Sequence, residues 1–291
     1  MSEEKKGELY TFLGGVFWAF FPIITILALK GVPSMTTLAW STGFSCLFFL
    51  VLFLYKKQYK ELQKKKVWLY SLFVALLTGV CFYGLFFWGL TMTTAGNAGL
   101  VALFETFTSF VFFSILRREH FKTEYKVGAV LMVLGAGCVL FRNFSGINQG
   151  DLLIVAATFF APAGNMFQQK LKKITKTETI LFLRTLISTP IIFLLAILLG
   201  QYVTVSEVRH VIPFLLINGI LIVGLSKVFW IEAIHRISVT KAIALGAFIP
   251  FLTLILSWII FNQAPTWPQI VSLPFLIAGT YLLTDNWKFK K

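Results

Sequence analysis

Apolar residues in this chain come in long unbroken blocks, and the segments between them are short and rich in lysine. A helix needs about 20 apolar residues to cross a hydrocarbon core. Lipid offers no partner to a backbone amide, so each crossing must satisfy its own hydrogen bonds. Ten blocks meet that need: Leu9–Leu29, Met35–Tyr55, Trp68–Leu90, Thr94–Leu116, Tyr125–Phe141, Asp151–Leu171, Thr179–Leu199, Val211–Ile234, Val239–Phe261 and Trp267–Thr284. The fifth and tenth are the shortest. A membrane β-barrel would alternate apolar and polar residues over about ten positions, and continuous blocks exclude it. The pattern predicts an all-α polytopic membrane protein of ten transmembrane helices. Glu3, Glu4 and Glu8 flank the first block, which is unlike a cleaved leader, so it is expected to remain as the first helix.

Charge adds an orientation. The formal net charge of +14 could suggest a nucleic-acid partner, but the basic residues sit in short runs between blocks. With the N-terminus placed inside, the inner segments carry 21 Lys and Arg and the outer loops only Lys30, Arg142 and Arg209. Such an excess orients membrane proteins. It predicts a cytoplasmic-type membrane, both termini on the cytoplasmic side, and no nucleic-acid partner. Cys46, Cys81 and Cys138 lie inside blocks, and His120, His210 and His235 are scattered near block ends, so neither a disulfide framework nor a metal cluster is expected. No Gly-rich phosphate loop is present and no cofactor is expected.

The chain also repeats itself. A step of 144 residues carries Phe104-Glu105-Thr106 onto Phe248-Ile249-Pro250, Arg118-Glu119 onto Asn262-Gln263 and Leu134-Gly135 onto Ala278-Gly279. Phe87-Trp88 and Phe229-Trp230 precede the fourth and ninth blocks, and Gly7-Glu8 and Gly150-Asp151 open the two halves. The division predicts one five-helix repeat over residues 1–146 and a second over 147–291. Five is odd, so the second repeat enters from the opposite face. Inverted repeats that enclose a mid-membrane site are a recurring carrier design.

These residues resemble the drug/metabolite transporter superfamily, specifically its EamA group, over nearly the whole chain. The Gly-acid entries followed by aromatic pairs, Phe17-Trp18 and Phe159-Phe160, are similar to the family's openings. The family's mid-helix Glu-Pro is split here: the fourth block keeps Glu105 but has Thr106, while the ninth keeps Pro250 but has Ile249. The closing Gly-Glu pairs are replaced by Arg118-Glu119 and Asn262-Gln263. The resemblance implies a central cavity surrounded by spans one to four and six to nine, with five and ten at the periphery. It also implies export or exchange of small metabolites without ATP hydrolysis.

Candidate site residues follow from polarity at depth. Glu105 is the midpoint of its block, where an acidic group costs roughly 2.5–3.5 kcal/mol on insertion scales. It is expected to face the cavity as a solute anchor and coupling group; a buried protonated carboxyl bonded to a neighbouring helix is the plainer reading. A continuous helix would put Thr94, Asn97, Ala98, Val101, Glu105, Thr108 and Phe112 on one face. Lys227 either faces inward or snorkels to the surface. If inward, it offers with Glu105 one charge of each sign, suited to a zwitterion, or the two form a gating salt bridge. Arg184, about five residues into its span, reads as a snorkelling residue. Pro162 places Asn165 and Gln168 on one side of a disturbed helix, and Pro22 does the same beside Trp18. Trp18, Tyr83, Trp88 and Trp230 lie deep enough to stack on a solute, whereas Trp68, Trp267 and Trp287 belong to an interfacial belt. Gly128 and Gly135 share a face for another helix or for a second copy in a homodimer.

The expected function is a secondary transporter of a small organic metabolite, an amino acid or related zwitterion. The alternatives are an exporter of drugs or hydrophobic cations anchored on Glu105, a membrane-embedded lipid-modifying enzyme, and a scaffold without a cavity. A lipid enzyme would need His, Asp or Cys clustered at one depth, and a scaffold leaves Glu105 without a purpose.

Overall fold

The computed structural model describes residues 1–117, 123–140 and 148–284. Arg118-Glu119, His120, Lys122, Phe141, Arg142, the 146/147 division and the Trp287–Lys291 tail lie outside the described residues. All elements among those described are helical. Eight are long and apolar enough to cross a membrane: α1 Glu3–Ala28, α2 Ser34–Tyr55, α3 Lys65–Leu90, α4 Ala95–Leu116, with α5 Thr123–Leu140 following as a shorter helix, then α6 Gln149–Lys172, α7 Thr177–Leu198, α8 Val205–Arg236 and α9 Lys241–Phe261. The last, α10 Trp267–Leu283, is again short. At 1.5 Å per residue, a helix the length of α5 still covers about 27 Å of the roughly 30 Å core.

Several of these helices are broken, and the breaks recur in both halves. In α1 the ladder is interrupted at Phe20, just before Phe21-Pro22; in α6 it is interrupted at Phe159 and Phe160, just before Ala161-Pro162. Proline has no N–H to continue the ladder. α3 widens into a π-helical stretch over Ala75–Phe82, and α8 does so over Ile217–Leu225. α4 turns at Leu103 and Phe104, and α9 tightens to a 3-10 turn over Gly246–Phe248 before Ile249-Pro250.

Close approaches fix the packing. A Cβ on Gly89 would lie 2.6 Å from the Gly150 carbonyl oxygen, and one on Gly150 2.6 Å from that of Gly89, so α3 and the start of α6 touch backbone to backbone. α5 and α10 pack along each other: a Cβ on Gly128 would sit 3.0 Å from Leu282 Cβ, and one on Gly135 2.7 Å from Leu276 Cγ. The Gly128/Gly135 face is thus taken by α10 of the same chain rather than by a second copy. Neither α5 nor α10 reaches the central cavity, as the peripheral placement requires.

Polar ties link the halves near both ends of the bundle. At the end bearing the N-terminus, Glu232 pairs with Lys172 and Arg236, Arg236 with Glu3, and Lys241 with Glu4 and Glu8. At the opposite end Asp151, fully buried, accepts from Thr93 and from Asn97 Nδ2, the latter at 3.0 Å. Gln269 Nε2 donates to Asn97 Oδ1 at 2.6 Å. Each knot joins helices of different halves.

Candidate solute-binding site

Between the knots lies a cavity with an empty volume of about 1140 Å³, its mouth included. Its described walls come from α1, α3, α4, α6, α7, α8 and α9. α2, expected among them, contributes none: it packs instead along α7 and the wide turn of α8. Among the described residues, three acidic or basic side chains face the space, Glu105, Lys227 and Arg184.

Glu105 begins the second segment of α4, directly after the turn at Leu103 and Phe104. Its Oε1 accepts from Asn165 Nδ2 at 3.1 Å. Asn165 Oδ1 in turn accepts from Trp230 Nε1 at 3.0 Å and from Gln168 Nε2 at 3.4 Å. A chain of donors from α6 and α8 thus orients the α4 carboxyl. Gln168 Oε1 is buried with no hydrogen-bond partner.

Lys227 settles the choice left open by the sequence: it lines the cavity, with Nζ 3.5 Å above the centroid of Trp18 and 5.8 Å from that of Tyr83. A cation over an aromatic face is held by the ring quadrupole. Trp18 is itself stacked on Phe21, centroids 4.4 Å apart. Glu105 and Lys227 form no direct ion pair in this conformation, although each feels the other's charge across the cavity.

Arg184 is the residue the sequence reading misplaced. It does not snorkel. It is 2% exposed, its Nη2 donates to the Val223 carbonyl at 2.9 Å, and its guanidinium carbon lies 5.9 Å from the Tyr83 centroid. The acceptor is a product of the wide turn in α8, since a passage between π and α spacing leaves carbonyls without amide partners. Ser226 Oγ takes the neighbouring Ile222 carbonyl. Thr185, Ser188 and Thr189, which continue the polarity of α7 beyond Arg184 toward mid-span, were the available signal of a polar interior there.

Two expected site residues lie elsewhere. Trp88 is 39% exposed and turned away from the cavity. Its neighbour Gly89 faces Gly150, and successive helical side chains diverge by about 100°, so Trp88 points outward. Asn97 is buried in the Asp151–Gln269 knot. The turn in α4 re-phases the helix: Gly99, Ala102 and Leu103 line the cavity with Glu105, while Ala98 and Val101 join the apolar core. Trp18, Tyr83, Asn165, Gln168 and Trp230 do share the cavity with the three charges.

The EamA-like transporter family model matches residues 5–141 and again 148–285. The chain belongs to the EamA-like transporter family. It is therefore a multi-pass membrane transporter, with the family's two repeats. An uncharacterized transporter of Bacillus subtilis (strain 168), YoaV, is 21% identical over 254 residues, 84% of each chain. An uncharacterized transporter of Methanothermobacter thermautotrophicus is 26% identical over 77% of this chain and 67% of its own. A crystal structure covering 97% of both chains superposes with a TM-score of 0.70 at 18% identity, a likeness of fold.

Proposed function

We propose that this transporter is a secondary carrier for a small zwitterionic metabolite, an amino acid or close derivative, working by alternating access across a cytoplasmic-type membrane with both termini inside. The observation that supports this reading is that Glu105 and Lys227 face one cavity without forming a direct ion pair. A charge taken out of water is costly unless it is paired. A solute with its ammonium at Glu105 and its carboxylate at Lys227 supplies both pairings at once. Glu105 is then also the coupling group, exchanging the solute ammonium for a proton. The basic inner loops support the orientation, and the direction is export or exchange. The hydrophobic-cation reading is weaker, because Lys227 already covers the Trp18 face such a cation would seek.

A thermal-shift screen of metabolites on purified protein, followed by counterflow in proteoliposomes, tests the reading. Amino-acid zwitterions should stabilise the protein and exchange across the vesicle wall. Stabilisation by lipophilic cations alone, with no exchange of zwitterions, would overturn it.

A further inference from the structure

The zwitterion reading uses one cation and one carboxylate, yet the cavity holds a second cation. Resting on that reading, we propose that Arg184 and the Tyr83 hydroxyl form an anion subsite, so that the carrier selects zwitterions bearing a second anionic group, such as a side-chain carboxylate.

Three observations lead there. Arg184 spends one hydrogen bond on the Val223 carbonyl, and the rest of its planar fork stands at the cavity wall without a carboxylate partner. A guanidinium fork matches a carboxylate in bidentate geometry. The Tyr83 hydroxyl lies buried within hydrogen-bonding reach of the Arg184 side chain, where it can accept from the guanidinium, and its own proton has no acceptor. A buried hydroxyl whose proton has no acceptor calls for an explanation; an oxyanion shared with Arg184 provides one. Finally, one ring borders both cations: the Tyr83 centroid is 5.8 Å from Lys227 Nζ and 5.9 Å from Arg184 Cζ. A solute whose first carboxylate sits on Lys227 can therefore set a second anion on Arg184 beside the same ring. A purely structural Arg184, serving only to cap Val223, would not need further donors at the cavity wall beside a hydroxyl whose proton is free.

The test is competition counterflow in proteoliposomes with matched probes, glutamine against glutamate and asparagine against aspartate. In the unaltered protein the acidic member of a pair should compete better by about thirtyfold, the scale of one buried charge pairing. Arg184→Gln should lower apparent affinity for the acidic member far more than for the amide. Tyr83→Phe should do so partially, and Arg184→Lys should fail to restore the full preference. If the unaltered protein treats acid and amide alike, or if Arg184→Gln, Arg184→Lys and Tyr83→Phe weaken both equally, the anion subsite is wrong while the zwitterion carrier stands. If no probe competes, the carrier reading fails and takes the subsite with it. Arg184→Lys and Tyr83→Phe decide the matter should Arg184→Gln not fold.

Discussion

The two halves share a frame but divide the chemistry. Both break their first helix before a proline, both widen their third into π spacing and both turn within their fourth. The charged groups have no such counterparts. The 144-residue step of the fourth and ninth spans carries Glu105 onto Ile249, and the 142-residue step that pairs Phe87-Trp88 with Phe229-Trp230 sets Lys227 against Leu85 and Tyr83 against Leu225. The first half supplies the carboxyl and the aromatic faces of Trp18 and Tyr83; the second supplies both cations and the amides of Asn165 and Gln168. The difference is instructive: a frame that opens with similar ease to either side calls for equal halves, whereas gripping an asymmetric solute calls for unequal side chains.

The strongest way to break this comparison is Glu105→Gln. The amide keeps an oxygen for Asn165 Nδ2, so the protein should fold with an unchanged unfolding temperature. Transport should fall by about a hundredfold or more, because the only carboxyl among the described residues of the cavity wall is lost. Counterflow rates read the effect; a normal rate would reduce the first half to frame and aromatic surface. Lys227→Met comes next. The methionine stem can keep contact with Trp18, so the loss should fall on affinity, about thirtyfold for anionic and zwitterionic solutes. Unchanged affinity would leave Arg184 as the sole anion-binding group of the second half.

Much of this division was legible in the sequence. Apolar blocks fixed the helices and their order, because a backbone in lipid has few alternatives to helix. Glu105 and Lys227 stood out because charge at depth is costly. What the sequence obscured is phase. A face through Asn97 and Val101 requires a continuous helix, and the turn at Leu103 and Phe104 has no proline of its own to announce it. The partner segment Phe248-Ile249-Pro250 does contain one, and its alignment with Phe104-Glu105-Thr106 was the signal available. The π stretches are hidden for a similar reason: one widened turn alters neither composition nor block length. Without them the Val223 carbonyl has no call on Arg184, and an arginine near a span end reads as a residue reaching for the surface.

The smallest expected effect bears on the Phe-Trp pairs that helped to reveal the repeat. Phe87-Trp88 and Phe229-Trp230 are the same two residues before matching spans, yet one indole is turned outward and the other is bonded into the site. Trp230→Phe removes the donor to Asn165 Oδ1 while keeping an aromatic wall, and Asn165 loses part of what aims it at Glu105. One such hydrogen bond is worth about 1 kcal/mol, so apparent affinity should weaken about fivefold. Trp88→Phe should leave affinity within about twofold, as exposed substitutions usually do. Equal losses from the two would mean that the halves share more than a frame, and that the Trp88 face becomes part of the pathway in a conformation with the cavity turned the other way.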